Sequence, residues 1–159
     1  MKLGILSDSH DAMGNVKKAL AFFAEQEVNY IIHGGDYVAP FTVALLVNQD
    51  IPWAGVLGNN DGEILGIYQR SNGIIHSSYQ EIEISGYTIW VSHLYLPADL
   101  AFQSGRYCCV IYGHTHEAMI KEKEGRFLIN PGETCGLLTG KATVALCNLP
   151  QKKADIITL

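Results

Sequence analysis

The stretch YIIHGGDYVAPFTVALLVNQ, residues Tyr30 to Gln49, carries the pattern that decides the fold. Its first part is an apolar run that ends in two glycines and Asp36, as expected of a buried strand that runs into a tight loop. Its second part is an apolar segment with the spacing of a helix, and Pro40 lies in the first turn, where a missing N–H costs nothing. The stretch therefore predicts one strand, loop and helix unit.

Two more stretches have a similar design. The run KLGILS, Lys2 to Ser7, stops at Asp8, and residues 14–26 follow it with apolar side chains at helical spacing. The run PWAGVLGNND, Pro52 to Asp61, again ends in glycine and polar residues. Strands that alternate with helices in this way indicate βαβ units and a parallel sheet.

The pattern changes after about residue 74, where strands predominate. Two runs flank Gly86 like the arms of a hairpin, Pro97 to Gly105 predicts a short helix, and the pair Glu124-Gly125 is a second hairpin signal. Further strands are predicted within residues 107–114, 118–130, 141–149 and 153–159. Because no repeat or linker separates the two parts, we predict one mixed α/β domain over residues 1–159.

The composition narrows the possible partners and the location of the chain. With 48% hydrophobic and 17% charged residues, the sequence is that of an ordinary globular protein. Its formal net charge of -5, without a concentrated basic face, argues against a nucleic-acid polymer but allows a small anionic substrate held by metal. The sequence contains no signal-like apolar region and no apolar run near the ~18 residues that span a bilayer, so we expect a cytoplasmic protein without a membrane partner.

Polar side chains that can bind metal directly follow five of the predicted strands. The carboxyl ends of strands in an open α/β sheet lie at one edge, and ligands bind there. We therefore expect these side chains to converge. They are Asp8, His10, Asp36, Asn59, His93, His114 and His116.

Each of these residues, taken alone, has an ordinary structural explanation. Asp8 or Asp11 could cap the first helix, Asp36 could cap the helix that follows it, and Asn59 could form a turn. Together, however, four imidazoles, two carboxylates and one amide would be costly to leave unpaired, and such nitrogen and oxygen ligands suit borderline divalent metals. Seven ligands are too many for one tetrahedral ion and favour two ions about 3.5 to 4 Å apart with a carboxylate between them.

The order of the motifs D-x-H, GGD, GNxD, H, GHTH and NPG, between Asp8 and Gly132, resembles that of the calcineurin-like metallophosphoesterases. The resemblance is specifically to their small single-domain bacterial and archaeal members. It implies a four-layer α/β/β/α sandwich with two mixed β-sheets. It also implies that Asp36 bridges two ions, one held by Asp8, His10 and His116, the other by Asn59, His93 and His114.

The resemblance further implies a phosphodiesterase in which a metal-bridging hydroxide attacks a small phosphoester in line. Four imidazoles favour Mn, Fe, Co, Ni or Zn over Mg or Ca, and manganese is our first expectation. The ion on the side of Asn59 has only neutral ligands besides its share of Asp36, so it is expected to bind more weakly. The predicted catalytic residues are Asp36, Asn59 and Asn60.

Besides Ser92, which precedes His93 where many members have glycine, two positions depart from the family pattern. Many members carry, directly after the asparagine ligand, a histidine that protonates the leaving oxygen, whereas this chain has Asn60. Since an amide is not a general acid, we expect substrates with reluctant leaving groups to react poorly. The second position is Glu133, where related small proteins often have serine; we expect its side chain to point to solvent.

Three other functions are alternatives to this hypothesis. A catalytically weak scaffold is the main alternative, because the same fold serves protein contacts in a retromer subunit and Asn60 replaces a proton donor. A DNA-repair nuclease of the superfamily would need a DNA-binding domain and a basic face, and a dinucleotide-binding enzyme would need a G-x-G-x-x-G or P-loop motif. Small relatives are often dimers or larger, so a homo-oligomer is expected, although no stretch locates an interface.

Overall fold

The computed structural model describes residues 1–159, which form eleven strands and four helices. The helices are α1 (Met13–Glu25), α2 (Pro40–Val47), α3 (Ile64–Arg70) and α4 (Tyr95–Gln103). The strands are β1 (Lys2–Leu6), β2 (Tyr30–His33), β3 (Trp53–Val56), β4 (Ile75–His76), β5 (Tyr79–Ile84), β6 (Tyr87–Ser92), β7 (Cys109–Ile111), β8 (Met119–Lys123), β9 (Arg126–Asn130), β10 (Thr143–Asn148) and β11 (Lys153–Thr158). None of the helices is long and apolar enough to cross a membrane.

The strands form two mixed sheets. The first has the order β11-β10-β1-β2-β3-β4 and the second the order β5-β6-β7-β9-β8. In the first sheet β1, β2, β3 and β4 are parallel, and β10 and β11 are antiparallel to their neighbours. In the second sheet β6, β7 and β9 are parallel, and antiparallel strands flank them. Each sheet therefore has a parallel centre, whose strands can end in ligand-binding loops at one edge.

Alternating side chains divide the core into layers. Ile32 of β2 and Ile111 of β7 belong to the cluster between the two sheets, whereas Ile31 packs with the helices α1 to α3. On the outer face of the second sheet, Val110 packs with Phe102 of α4. This alternation is the period of two expected when both faces of a sheet are covered. The predicted four-layer α/β/β/α sandwich with two mixed sheets is confirmed.

Two short elements were not predicted from the sequence. Helix α3 has only seven residues, and β4 has two, paired in parallel with Gly55 and Val56 of β3. His76, the last residue of β4, pairs with Val56. Elements this short have too few residues to show a period. Strand β4 instead depends on its pairing with β3, and α3 packs against α2.

Candidate metal centre

The loops after β1 and β2 are hydrogen-bonded to each other through their backbones. The amide of Asp8 donates to the carbonyl of Gly35 (3.0 Å), and that of His10 donates to the carbonyl of Asp36 (3.1 Å). Five of the seven predicted ligands have a left-handed backbone, with φ between 40° and 68°; they are Asp8, His10, Asp36, His114 and His116. Asp and His adopt this conformation more readily than most residues other than glycine, and it occurs in turns as well as at functional sites.

Two motif glycines allow the backbone to approach the carboxylates. A Cβ atom at Gly58 would overlap Oδ1 of Asp36. A Cβ atom at Gly113 would overlap the hydroxyl of Ser7 and lie 2.6 Å from Oδ2 of Asp8. The glycines of GNND and GHTH are therefore required by close packing around the two acidic side chains.

The loops after β1 and β7 bring together the group we call the carboxylate half: Asp8, His10 and His116. One ligand atom from each of these residues and one from Asp36 all lie within 4.8 Å of one another. Nε2 of His116 is 3.4 Å from Oδ1 of Asp8, whose side chain is fully buried. Both oxygens of Asp8 also accept a bond from the backbone amide of His114 (3.2 Å each), so the loop after β7 fixes this carboxylate.

The loops after β3, β6 and β7 contribute what we call the amide half: Asn59, His93 and His114. Nε2 of His93 lies 3.0 Å from Oδ1 of Asn59, and the His93 and His114 ring centroids are 5.3 Å apart. Nδ1 of His93 lies 2.8 Å from the carbonyl of Gly34 and donates to it, which leaves the Nε2 lone pair directed at the centre.

Asp36 lies between the two halves. Its Oδ2 is 3.6 Å from Nε2 of His10 and 3.4 Å from Nε2 of His93. The structure thus brings the seven predicted ligands together as two neighbouring groups, with Asp36 next to a histidine of each. The alternative that Asp8 and Asp36 are helix caps is wrong, since α1 and α2 begin after Ala12 and Ala39 and no side chain caps either helix.

The charged groups of the centre change the pKa values of their neighbours. Burial raises the pKa of Asp8 above its usual value. Burial acts in the same direction on Asp36, but bonds from His93 and Asn60 outweigh it and lower the pKa of this carboxyl. For His93, burial opposes the charged form, yet the nearby carboxylate of Asp36 outweighs burial and raises the pKa of the imidazole. The centre therefore favours positive charge next to its carboxylates.

Asn60 contacts the central carboxylate directly. Its backbone amide donates to Oδ1 of Asp36 and its side-chain amide donates to Oδ2, both at 2.8 Å. The side chain thus holds Asp36 in one orientation. Nothing in this arrangement supplies a proton, because a carboxamide has no acidic hydrogen near neutral pH.

Glu133 is fully buried, so the expectation that it points to solvent is wrong. Nδ1 of His116 donates to its Oε2 at 2.8 Å, and the amide of Leu138 donates to its Oε1 at 2.9 Å. Burial alone would raise the pKa of Glu133, but bonds from Thr139 and His116 outweigh it and lower the pKa to about 2. An ionised carboxylate behind His116 fixes the tautomer in which Nε2 is free to bind metal.

Two further residues brace the loops and were not assigned a role from the sequence. The side-chain amide of Asn130 donates to the carbonyl of Gly113 and to the hydroxyl of Thr115, both at 2.9 Å. The carboxylate of Asp61 accepts bonds of 2.7 Å from the amides of Val38 and Gly58. The motifs NPG and GNND contained both residues, but a motif does not say which of its members faces a neighbouring loop.

The remaining histidine near the centre is structural. His33 is fully buried; its Nδ1 accepts a bond from the amide of Gly35 (3.1 Å) and its Nε2 donates to the hydroxyl of Ser9 (3.0 Å). Burial lowers its pKa to about 3, so the ring is neutral. With both nitrogens satisfied inside the protein, His33 supports the loops after β1 and β2.

Comparison with known proteins places these features in a family. The calcineurin-like phosphoesterase superfamily domain matches residues 1–152. The chain is similar to a phosphodiesterase of Methanocaldococcus jannaschii, at 35% identity over 165 residues covering 100% of this chain and 99% of the relative. Its structure superposes on that of an archaeal phosphodiesterase with a TM-score of 0.90 and 36% identity, covering 100% of both chains. Vacuolar protein sorting 29 from Cryptosporidium parvum shares the fold, with a TM-score of 0.72 and 20% identity over 99% of this chain and 96% of that one.

Proposed function

The chain belongs to the calcineurin-like phosphoesterase superfamily, and we propose that it is a phosphodiesterase that uses two metal ions bound by the seven residues described above. Family and relatives make it a metal-dependent phosphoesterase, a hydrolase of phosphoric esters. The observation that carries the two-ion proposal is the position of Asp36 Oδ2, within 3.6 Å of His10 and 3.4 Å of His93. A carboxylate with imidazoles from two loops on either side is the arrangement expected of a bridging ligand.

The chemistry of the donor atoms fits bound cations. Nε2 of His10 is buried and has no hydrogen-bond partner, and burial raises the pKa of Asp8. Both features are costly in the protein alone, and a divalent cation would relieve both. We propose that Asp8, His10 and His116 hold one ion and that Asn59, His93 and His114 hold the other. Among the metals that imidazole favours we place manganese first, with nickel, iron, cobalt and zinc as alternatives.

Bound divalent ions would supply a nucleophile from water at neutral pH and would stabilise negative charge on the phosphoryl oxygens. The protein's own contribution is to orient their ligands. Asn60 holds both oxygens of Asp36, and the carbonyl of Gly34 fixes the ring of His93. Because Asn60 cannot donate a proton, the leaving group has to depart as a stable anion.

The charge of the centre favours a diester over a monoester. Four buried carboxylates, Asp8, Asp36, Asp61 and Glu133, would offset the charge of two dications, so the centre would offer little compensation for the second negative charge of a monoester. A phosphodiester carries one negative charge, whereas a phosphomonoester carries close to two at neutral pH. We therefore propose a small phosphodiester as the substrate.

We also propose that residues 1–159 act as one domain without a nucleic-acid polymer as partner, since no concentrated basic face is present in the sequence.

The proposal is tested with chelator-stripped protein supplied with Mn, Ni, Zn, Mg or no metal. Hydrolysis of bis-p-nitrophenyl phosphate is compared with that of p-nitrophenyl phosphate, which has the same leaving group. We expect turnover to return with a transition metal and to be at least about tenfold faster for the diester, because the diester carries less charge. Metal content is measured in the same samples.

The outcomes separate the proposal from its alternative. A monoester rate equal to the diester rate would contradict the charge argument. If protein that holds two ions shows no turnover with any metal, the alternative of a catalytically weak scaffold for protein contacts would be favoured. When Asp36 is replaced by Asn in the same assay, the variant Asp155→Asn serves as the control for removal of an acidic group, since Asp155 is on β11 and pairs with Lys153 on the surface.

A further inference from the structure

A large cleft lies between the edges of the two sheets, beside the candidate metal centre. It has a volume of about 1040 Å³ and is formed by α3, β4 and the start of β5. A second cleft of about 270 Å³ is lined by Asn59 and His93 of the amide half. Leu57, Ser77 and Ser78 line both clefts, so the large cleft continues into the centre.

Strand pairing fixes the distance between the cleft and the centre. Tyr79, in the wall of the large cleft, pairs across the sheet with Ser92, and His93 follows directly. Residues paired in this way have Cα atoms about 4.5 to 5.5 Å apart. On the other sheet, the amide of Leu57 donates to the carbonyl of His76 at 2.8 Å, and Asn59 follows two residues later. The cleft is therefore about one side chain away from the amide half.

The walls of the cleft are apolar and aromatic. It is lined by large hydrophobic side chains of a kind that is usually buried, each of them more than half exposed: Ile64, Leu65, Tyr68 and Tyr79. The ring of Tyr79 stacks on that of Trp90, with centroids 4.3 Å apart and 10° between the planes. This stacking fixes the orientation of the Tyr79 ring before any ligand arrives, which reduces the entropy lost on binding.

The cleft offers no counter-charge for a second phosphate. No lysine or arginine lines it, and Glu81 is its one acidic residue. The charge of Glu81 is already compensated, because Arg106 lies 3.1 Å away and the hydroxyl of Tyr107 donates to it at 2.6 Å. An uncharged ligand group suits such a surface, and an aromatic ring suits it best, since flat rings stack on exposed tyrosines.

We propose that this cleft binds one organic group of the substrate, an uncharged aromatic ring joined to the phosphate through an ester oxygen, with Tyr79 and Tyr68 as specificity-determining residues. The inference rests on the proposed function, since it assumes that the phosphate lies at the metal centre. Aryl esters and nucleoside esters share the required ring. A substrate whose ester groups are both small alkyl groups would leave the apolar walls in water and bind more weakly.

The test compares diphenyl phosphate with dimethyl phosphate as ligands of the zinc-loaded protein. Both are monoanionic diesters with poorer leaving groups than p-nitrophenolate, so their dissociation constants can be measured by NMR titration before hydrolysis becomes significant. We expect diphenyl phosphate to bind at least about tenfold more tightly. Tyr79→Ala should remove most of that difference and leave the affinity for dimethyl phosphate unchanged, and Tyr79→Phe should retain the difference because it keeps the ring.

Tyr87→Ala is the matched control, because Tyr87 lies at the other end of the same hairpin, paired with Ile84. Equal affinities for the two diesters, as expected if a second copy of this chain covers the cleft, would overturn the ring-binding proposal while leaving the phosphodiesterase intact. An equal loss in Tyr79→Ala and Tyr87→Ala would overturn it as well. If neither diester binds the metal-loaded protein, the proposed function fails and the cleft proposal fails with it. Thymidine 5′-phenyl phosphate, added as a third ligand, distinguishes a nucleoside from a simple aryl group.

Discussion

The two halves of the proposed metal centre share Asp36 but differ in charge and burial. The carboxylate half has its own acid in Asp8, which is fully buried, and its His116 side chain is 12% exposed. The amide half has no acid of its own, and both Asn59 and His114 are exposed. One ion would therefore be held by a full negative charge within the protein and the other mainly by neutral ligands near solvent.

The halves also differ in the groups that support them. Behind His116 lies the ionised carboxylate of Glu133, whereas behind His93 lies only the backbone carbonyl of Gly34. A carboxylate behind an imidazole makes the ligand more basic than a carbonyl does. If both halves bind an ion as proposed, we expect a division of roles, in which the carboxylate half would keep its ion and the amide half would exchange ion or substrate next to the open cleft.

Replacing Asp36 by Asn would break the comparison, because it removes the group that the halves share. We expect loss of both ions and a fall in diester hydrolysis of about 10³-fold or more, because each ion would lose the negative charge that lies between them. Metal analysis after gel filtration, together with the rate on bis-p-nitrophenyl phosphate, measures both effects. Two ions retained at full occupancy would reject Asp36 as the bridge, and Asp155→Asn should behave like the wild type.

Replacing Asn59 by Asp would remove the asymmetry of charge. In the wild type we expect two binding events by calorimetry, with affinities that differ by at least about tenfold, because one half lacks a carboxylate. The variant keeps the shape of Asn59 and adds a negative charge, so the weaker affinity should rise towards the stronger. If the wild type already binds both ions equally, the difference between the halves has no thermodynamic consequence. Asn72→Asp, on an exposed turn after α3, is the control for the added charge.

The convergence of the ligands could be predicted from the sequence, and the family resemblance implied their unequal division between two ions, but neither predicted the asymmetry of support. Asp8, His10 and the GHTH pair are next to apolar strands, so their convergence follows from the rule that parallel strands end at one edge. Apolar runs and turn residues in the sequence predicted β1, β2, β3 and the two hairpins. They did not predict the left-handed backbone at Asp8 and Asp36, since neither residue type requires that conformation.

Glu133 shows why the remainder was beyond reach. A carboxylate in a glycine-rich loop is usually exposed, and burial of one is justified only by several donors together. Those donors come from His116, seventeen positions earlier, and from the amides of Leu138 and Thr139. The sequence shows each donor but not that the loop folds back to surround the acid. In the same way, α3 and β4 lack a period of their own; α3 depends on its packing against α2, and β4 depends on its pairing with β3.

The last prediction concerns this support. Glu133→Gln keeps the size of the side chain but removes the charge that fixes the tautomer of His116. We expect the affinity of the carboxylate half for its ion to fall about 10-fold to 100-fold, and that of the amide half to remain unchanged, because His93 is held by Gly34 and not by Glu133. Calorimetric titration of the stripped variant resolves the two events. Glu117→Gln is the matched control, since Glu117 follows His116 but is exposed. A uniform weakening of both events in Glu133→Gln would mean that the two halves act as one unit, and the division of roles between them would then be wrong.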